Sequence, residues 1–420
     1  MCPVCREQFP VDILPVHASS CGVGKDPNLN LPDQLSKIAQ ELKRHEKPWS
    51  VKVVRRLFEE TALEQLEDGD EDDWNKPISI QFLGEEGIDA GGLSREFFSL
   101  LFKTSKVFEE NTFSVNPQLL VKKQYCLIGK AVAKAIVSGH PGPRCLNQHV
   151  TNYMLLKQEA DFSMVKIKEI QRCCQCYKRD VVSNRSFTSQ QQSCIATMSL
   201  LAVLVMIGEA TLETIGNVYN EHISMFEATG YTKILTLDNK DETIKALKAF
   251  YLLYRPMASI NQFMEGLKLH GILQKLQEHP KDACLFFNES SYPTADFFKP
   301  VYSSVTEEKE EMIVYNWGKY LKNIEKGRIS TPWLSMDTGV EDIVELNMGH
   351  LCQALLGCPK LLTSMNSGSI QFDHKSSNLP TVNTCAPSIT FSKTEELQND
   401  CTFQEVLQNV IVGAYGFGIA

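Results

Sequence analysis

The sequence predicts an α+β protein in which helices outnumber strands. Apolar residues recur at helical spacing through several long segments. Short strands are predicted at 78–83, at 370–372 and again from Ile389 to Phe391, the last two on either side of a cysteine loop. The length sets the scale, since 420 residues leave room for two or three domains and a sizeable core.

Each element follows from its residues. Residues 24–48 are polar and carry Pro27, Pro32 and Pro48, but Leu35, Ile38 and Leu42 share one face of a short helix. Val51, Val53, Val54, Leu57 and Phe58 open the folded part, and the acidic run at 67–73 is expected to be a solvated loop. The strand at 78–83 leads into a connection with Gly84, Gly87, Gly91 and Gly92. No Gly-x-Gly-x-x-Gly is present, and no Lys-Ser or Lys-Thr follows. The connection therefore reads as a tight turn needing positive φ, not as a phosphate cradle.

The next helix places Leu93, Phe97, Leu100 and Leu101 on one face. A second helix, over 122–137, buries Ile128, Val132, Ala135 and Ile136, while Gly129, Ala131 and Ala133 permit close packing. The apolar run at 195–207 is short of the roughly 20 residues that span a bilayer and is expected to be a buried helix. Helices over 242–254 and 259–269 flank Pro256, and a charged helix is expected over 307–327. Pro332 and Gly339 mark loops. Thr402 with Glu405 makes a capping box, and Phe403, Val406, Leu407, Val410 and Ile411 make one apolar stripe. The glycines of 413–420 argue against continued helix.

Composition excludes several classes. A net charge of −9 disfavours nucleic acid as a partner. The N terminus has neither a basic start nor a long apolar run, so no signal peptide and no membrane partner are expected. Fourteen cysteines without a secretory signal predict reduced thiols in the cytoplasm or nucleus.

Those cysteines divide by context. Cys2 and Cys5 stand two residues apart, and His17 and Cys21 lie one helical turn from each other. Two thiolates from a tight knuckle plus His and Cys on one face make a tetrahedral structural zinc set. Phe9, Ile13 and Leu14 are too small a core to fold by burial, so zinc would supply the folding energy. Cys173, Cys174, Cys176 and Cys194 lack a completing pair and are expected to be free thiols in a loop. Cys385 lies between Pro380 and Pro387, which bias their predecessors away from helix and put the thiol on an accessible loop. A hydrolytic cysteine would also need a histidine base. The nearest histidine, His374, lies eleven residues upstream, and nothing marks it as one. Exchange of one thioester for another needs less.

Two resemblances follow. Cys2-Pro3-Val4-Cys5, Phe9, Ile13, His17 and Cys21 are similar to the small ubiquitin-binding zinc fingers of DNA-damage-response ligases, with Ser19 where those fingers commonly carry Asp. Residues 82–98, ending in Gly91-Gly92-Leu93-Ser94-Arg95-Glu96-Phe97-Phe98, resemble the N-lobe signature of HECT-type ubiquitin ligases. Residues 125–139 and 258–267 resemble that family's later helices. Leu379-Pro380, Thr384-Cys385 and Gly416-Phe417-Gly418 resemble its C-lobe, in the family's order. The family often has an aromatic residue and Asn after its cysteine, where this chain has Ala386 and Pro387.

The HECT resemblance implies a bilobal domain, with a mostly helical N-lobe hinged to a smaller α/β C-lobe. The finger would occupy 1–25, a linker 26–48, the N-lobe 49–300 and the C-lobe 301–420, with 157–235 as a divergent region for the conjugating enzyme. It implies that Cys385 takes ubiquitin as a thioester from a ubiquitin-conjugating enzyme and passes it to lysines of protein substrates. Thr384 would shape the loop, and Phe417 would order the second step. The competing expectation is a catalytically weak or inactive scaffold that binds ubiquitin or partner proteins.

Overall fold

The structure is a computed structural model. It describes residues 30–45, 47–85, 89–109, 111–156, 203–288, 292–298, 301–302, 307–334, 341–359, 368–374, 379–385 and 387–415. Cys2, Cys5, His17, Cys21, Phe417, the cysteines of 173–194 and most of 157–235 lie outside the described residues. Helix and strand are mixed, as an α+β fold requires, and the buried apolar side chains form two clusters. The first runs from Leu31 to Phe287 and the second from Phe298 to Ala414.

The first core begins inside the stretch expected to be linker. The helix Leu31–Leu42 starts where Asn30 Oδ1 accepts the Asp33 N–H at 2.9 Å, a side-chain cap on an otherwise orphaned donor. It buries Leu31, Leu35 and Leu42 in the core. Strand Trp49–Val53 pairs in parallel with strand Ile78–Phe82, Val51 opposite Ile80. Parallel partners need a crossover, which the helix Phe58–Glu67 supplies. The acidic run is not a bare loop: Asp70 caps the short helix Glu71–Asn75, accepting from Asp73 N at 2.7 Å, and Trp74 at its end is buried. Carboxylates at the N-terminus of a helix complement its dipole, and one buried indole is enough to anchor such a turn.

Helix Gln124–Val137 packs on Met257–Leu267 at backbone distance. A Cβ on Gly129 would fall 2.2 Å from the Phe263 carbonyl, and one on Gly266 would fall 2.0 Å from the Cys126 carbonyl. Lys123, at φ +56°, separates this helix from the turn Pro117–Val121, so the element expected from residue 122 starts later. Lys134 is buried, donates to the carbonyls of Trp74 and Lys76, and is pushed down to about 8 by burial. The helix Lys240–Ala249 runs on through a wider π-type turn at Phe250–Tyr254. In the 195–207 run, Val203, Leu204 and Ile207 are helical and buried.

The second core lies between helices and a four-stranded sheet. Strand Ser369–Asp373 pairs in parallel with Val301–Tyr302 and with Ser388–Ser392, whose other edge takes Thr381–Asn383 in antiparallel pairing. Helix Glu308–Glu325 brings Trp317 and Tyr320, and Trp317 meets Phe391 edge-on at 6.0 Å. Helix Asp400–Tyr415 buries Phe403, Val406, Leu407 and Ile411, matching most of the expected stripe. Its cap is Asn399, which accepts from Cys401 N and Thr402 N, and not Thr402; a strong capping residue lay three positions earlier. The helix also continues through Gly413 to Tyr415, because burying Ala414 outweighs the modest helix penalty of one glycine. Among the described residues, no helix is long and apolar enough to cross a membrane.

Candidate active site

Cys385 sits at the tip of a hairpin. Strand Thr381–Asn383 runs up to it and Ser388–Ser392 runs away, with Asn383 opposite Ser388. The Cys385 N–H donates to Asn383 Oδ1 at 3.0 Å, an Asx turn that reverses the chain at once. Behind the tip, the Ser369 N–H donates to the Pro387 carbonyl at 3.0 Å and fixes the outgoing strand. The thiol is half-buried, as a loop cysteine between two prolines should be.

The sulfur faces the first core. The Gly92 N–H donates to Cys385 Sγ at 3.3 Å across 293 residues of chain. Gly92 is the first residue of helix Gly92–Thr104, so the sulfur meets the positive end of that helix. The seat admits only glycine: a Cβ there would lie 2.8 Å from Sγ and 2.4 Å from Thr384 Oγ1. One turn on, Arg95 Nη1 donates to the Thr384 carbonyl at 3.0 Å and to the Leu356 carbonyl at 2.7 Å. Thr384 therefore touches the seam through both its hydroxyl and its carbonyl. Arg95 thus ties both the hairpin and the end of helix Met348–Leu356 to the first core. Gly357, at φ +74°, ends that helix against the Gly92 carbonyl, where its missing side chain lets the backbones approach.

The turn behind Gly92 is built by carboxylates. Asp89 accepts from the N–H groups of Ile80 at 2.8 Å, Gly91 at 2.9 Å and Ser94 at 3.2 Å, and from the Ser94 hydroxyl. Gly84 and Gly91 take positive φ, as the sequence predicted. Arg55 grips Glu85 through both oxygens and Glu96 at 2.7 Å, lying over the Phe82 ring. Burial pushes the Glu96 carboxyl up, and Arg55 beside it pulls the other way. Burial also opposes charge on Arg55, but its two carboxylate partners win and hold the guanidinium above its ordinary range. His140 lies tilted against Phe98 and is pushed down to about 4 by burial and by the neighbouring Arg95, so it stays neutral under the seam.

No histidine contacts Cys385 among the described residues; the sulfur's polar neighbour is a backbone N–H. His374 is exposed, and His350 caps the helix Met348–Leu356. Among the described residues the arrangement is a half-exposed thiol beside the N-terminal N–H of a helix. Gly92, Arg95, Asp89 and Asn383 were not among the residues the sequence marked for chemistry. The packed glycines after Asp89 were the available signal, yet they were legible only as a turn. No group of three or more His, Cys, Asp and Glu fit to hold a metal occurs among the described residues.

No protein-family model matches the chain. The chain is 23% identical over 254 residues to the G2/M phase-specific E3 ubiquitin-protein ligase of Macaca fascicularis, covering 58% of this chain and 32% of that protein. It is 32% identical over 105 residues to the E3 ubiquitin-protein ligase UPL2 of Arabidopsis thaliana, 22% of this chain and 3% of that one. It is 48% identical over 58 residues to "Probable E3 ubiquitin-protein ligase mug30" of Schizosaccharomyces pombe, 14% of this chain and 7% of that one. The curated relatives are thus named as E3 ubiquitin-protein ligases, and the chain spans about a third of the length of the first of them (32%).

Proposed function

We propose that the chain is a HECT-type ubiquitin-protein ligase whose Cys385 carries ubiquitin as a glycyl thioester. The carrying observation is the Cys385 thiol itself, half-exposed on a hairpin tip with no histidine beside it among the described residues. The similarity to proteins named as E3 ubiquitin-protein ligases supports the same reading. In the first step Cys385 Sγ attacks the thioester carbonyl carbon held by a ubiquitin-conjugating enzyme. A new C–S bond forms, the old one breaks, and the proton shed by Cys385 ends on the departing sulfur. The exchange trades like for like, so it needs proximity more than an acid–base pair. In the second step a lysine amine of a protein substrate replaces the sulfur. Phe417 is proposed to act in that step.

The test is incubation with activating enzyme, a panel of conjugating enzymes and ubiquitin. A thiol-sensitive ubiquitin adduct on the wild-type chain, absent in Cys385→Ala, supports the ligase. A second reading, a scaffold that binds ubiquitin or partners without transfer, is favoured by the seating of Sγ against Gly92. Absence of an adduct with every conjugating enzyme selects that scaffold.

We also propose that Cys2, Cys5, His17 and Cys21 hold one structural zinc. The expected metal content is one zinc per chain; zinc retained at that level in Cys5→Ser would show the ligand set to be wrong.

A further inference from the structure

We propose that a cleft between the two cores, away from Cys385, binds an aromatic phosphate monoester of nucleotide size. The inference stands apart from the ligase reading, because Cys385 is not among the described residues that line the cleft. The cleft holds about 460 Å³, inside the roughly 300–1,000 Å³ typical of small-molecule sites. Its first-core wall comes from the last turns of helix Gly92–Thr104, from Phe108, Glu109 and Asn111, and from the loop Pro141–Cys145. Its second-core wall comes from helix Met348–Leu356 and from Cys358 just beyond it. Tyr292, from the connection between the cores, also lines the cleft, with its ring so near Gly349 that a Cβ there would fall 2.5 Å from it. A molecule in the cleft therefore touches both cores at once.

Charge selects the ligand class. Lys103 and Arg144 line the cleft, with Glu109 the one carboxylate among its described lining residues. Arg144 is 8% exposed, and burial pushes its guanidinium down. An oxyanion bound beside it would offset that desolvation cost. The Arg144 backbone sits at φ +46°, an uncommon conformation for a residue other than glycine. Two bonds to the end of helix Pro280–Phe287 hold it there: the Arg144 N–H donates to the Phe286 carbonyl at 3.1 Å, and the Leu146 N–H to the Phe287 carbonyl at 2.8 Å. The fold thus carries backbone strain at the residue that sets a guanidinium in the wall. Burial, and after it Lys103, push the His350 imidazole down, so the ring is neutral and lies within the field of that cation. His350 Nδ1 accepts from the Asn347 N–H at 3.1 Å, which leaves the ring proton on Nε2 as a donor. Two cations and a neutral donor suit a phosphate monoester, with nearly two charges at neutral pH, better than a carboxylate with one. Glu109 repels phosphate but accepts from amino and hydroxyl groups, which a nucleotide also carries. The apolar lining is Phe102, Phe108, Pro143 and Tyr292, which suits a flat ring.

The test is calorimetric titration of the full chain with adenosine monophosphate, adenosine and inorganic phosphate, with alkylation of Cys145 to locate the site. Cys145 lines the cleft and is half-buried, whereas Cys401 is exposed on helix Asp400–Tyr415. Adenosine monophosphate should bind saturably at millimolar concentration or below, and should slow the labelling of Cys145 but not of Cys401. Adenosine and inorganic phosphate should each bind about tenfold more weakly, since each lacks one half of the recognised chemistry. Arg144→Asn removes the guanidinium but keeps a residue that tolerates positive φ, and should weaken adenosine monophosphate about tenfold. Lys103→Gln changes an exposed residue with little risk to folding, and should weaken it about threefold. Inorganic phosphate as tight as adenosine monophosphate would mean an adventitious ion only, and adenosine as tight would remove the need for charge; either overturns the inference. So does an absence of saturable binding, or binding that leaves Cys145 labelling unchanged or is indifferent to Lys103→Gln. No arm uses ubiquitin, so failure here leaves the ligase reading standing.

Discussion

Two thiol sites of the second core lie along the same seam and have opposite fates. Cys352 sits on helix Met348–Leu356 with Cys358 just beyond its end, and both are buried. Burial, with Cys358 alongside, pushes the Cys352 thiol well above its ordinary range, although Arg95 and Arg144 pull it down. Cys385 is also within one residue of an Arg95 contact, yet it stands half-exposed at a hairpin tip and accepts an N–H. Shared electrostatic neighbours therefore do not decide which cysteine can react. Local backbone geometry does, because a packed helix face hides its thiol and an Asx turn presents it.

The sharpest break of this comparison is reciprocal mutation. Cys385→Ala is expected to abolish the ubiquitin adduct and leave the melting temperature unchanged. Cys352→Ala is expected to keep the adduct while costing about 1–2 kcal/mol, since a buried thiol packs as a small hydrophobe. Gel analysis under non-reducing conditions and thermal melting check both arms. Next in size is chemical access. Brief alkylation of the native protein should label Cys385 well before Cys352 or Cys358, with peptide mapping as the readout. Equal labelling would erase the distinction.

The sequence made the first half of this contrast readable and hid the second. Pro380 and Pro387 are local signals, and they placed Cys385 on a loop without knowledge of the rest of the fold. Helix faces were readable for the same reason, since the stripe at Phe403, Val406, Leu407 and Ile411 is set by spacing alone. Contacts that close over long chain separations were not readable. Gly92 lies 293 residues from the sulfur it faces, so its turn showed only a need for positive φ nearby. Competing local signals misled at element ends: Asn399 takes the cap that Thr402 also offered, and Trp74 converts an acidic run into a helical turn. The zinc ligands and Phe417 lie outside the described residues and stand as proposals.

Smaller effects sharpen the account of the hairpin and its bed. Asn383→Ala removes the acceptor of the Cys385 N–H and should slow loading several-fold, about 1 kcal/mol of tip geometry, in a single-turnover assay of adduct appearance. Beneath the seam, His140 is held neutral in the fold, down to about 4 against an ordinary value near 6.5. Between those limits the unfolded chain binds the proton and the folded chain does not, so stability should fall as pH drops through that window. His140→Leu should flatten this part of the profile of urea midpoint against pH, whereas an unaltered slope would place the titration elsewhere.

The most direct measurement locates the thioester. The chain is charged with ubiquitin, digested under acidic conditions that spare thioesters, and mapped by mass spectrometry across its 14 cysteines. The account predicts a glycyl adduct on the peptide containing Cys385 and on no other. An adduct on another cysteine, or none with any conjugating enzyme, would contradict it.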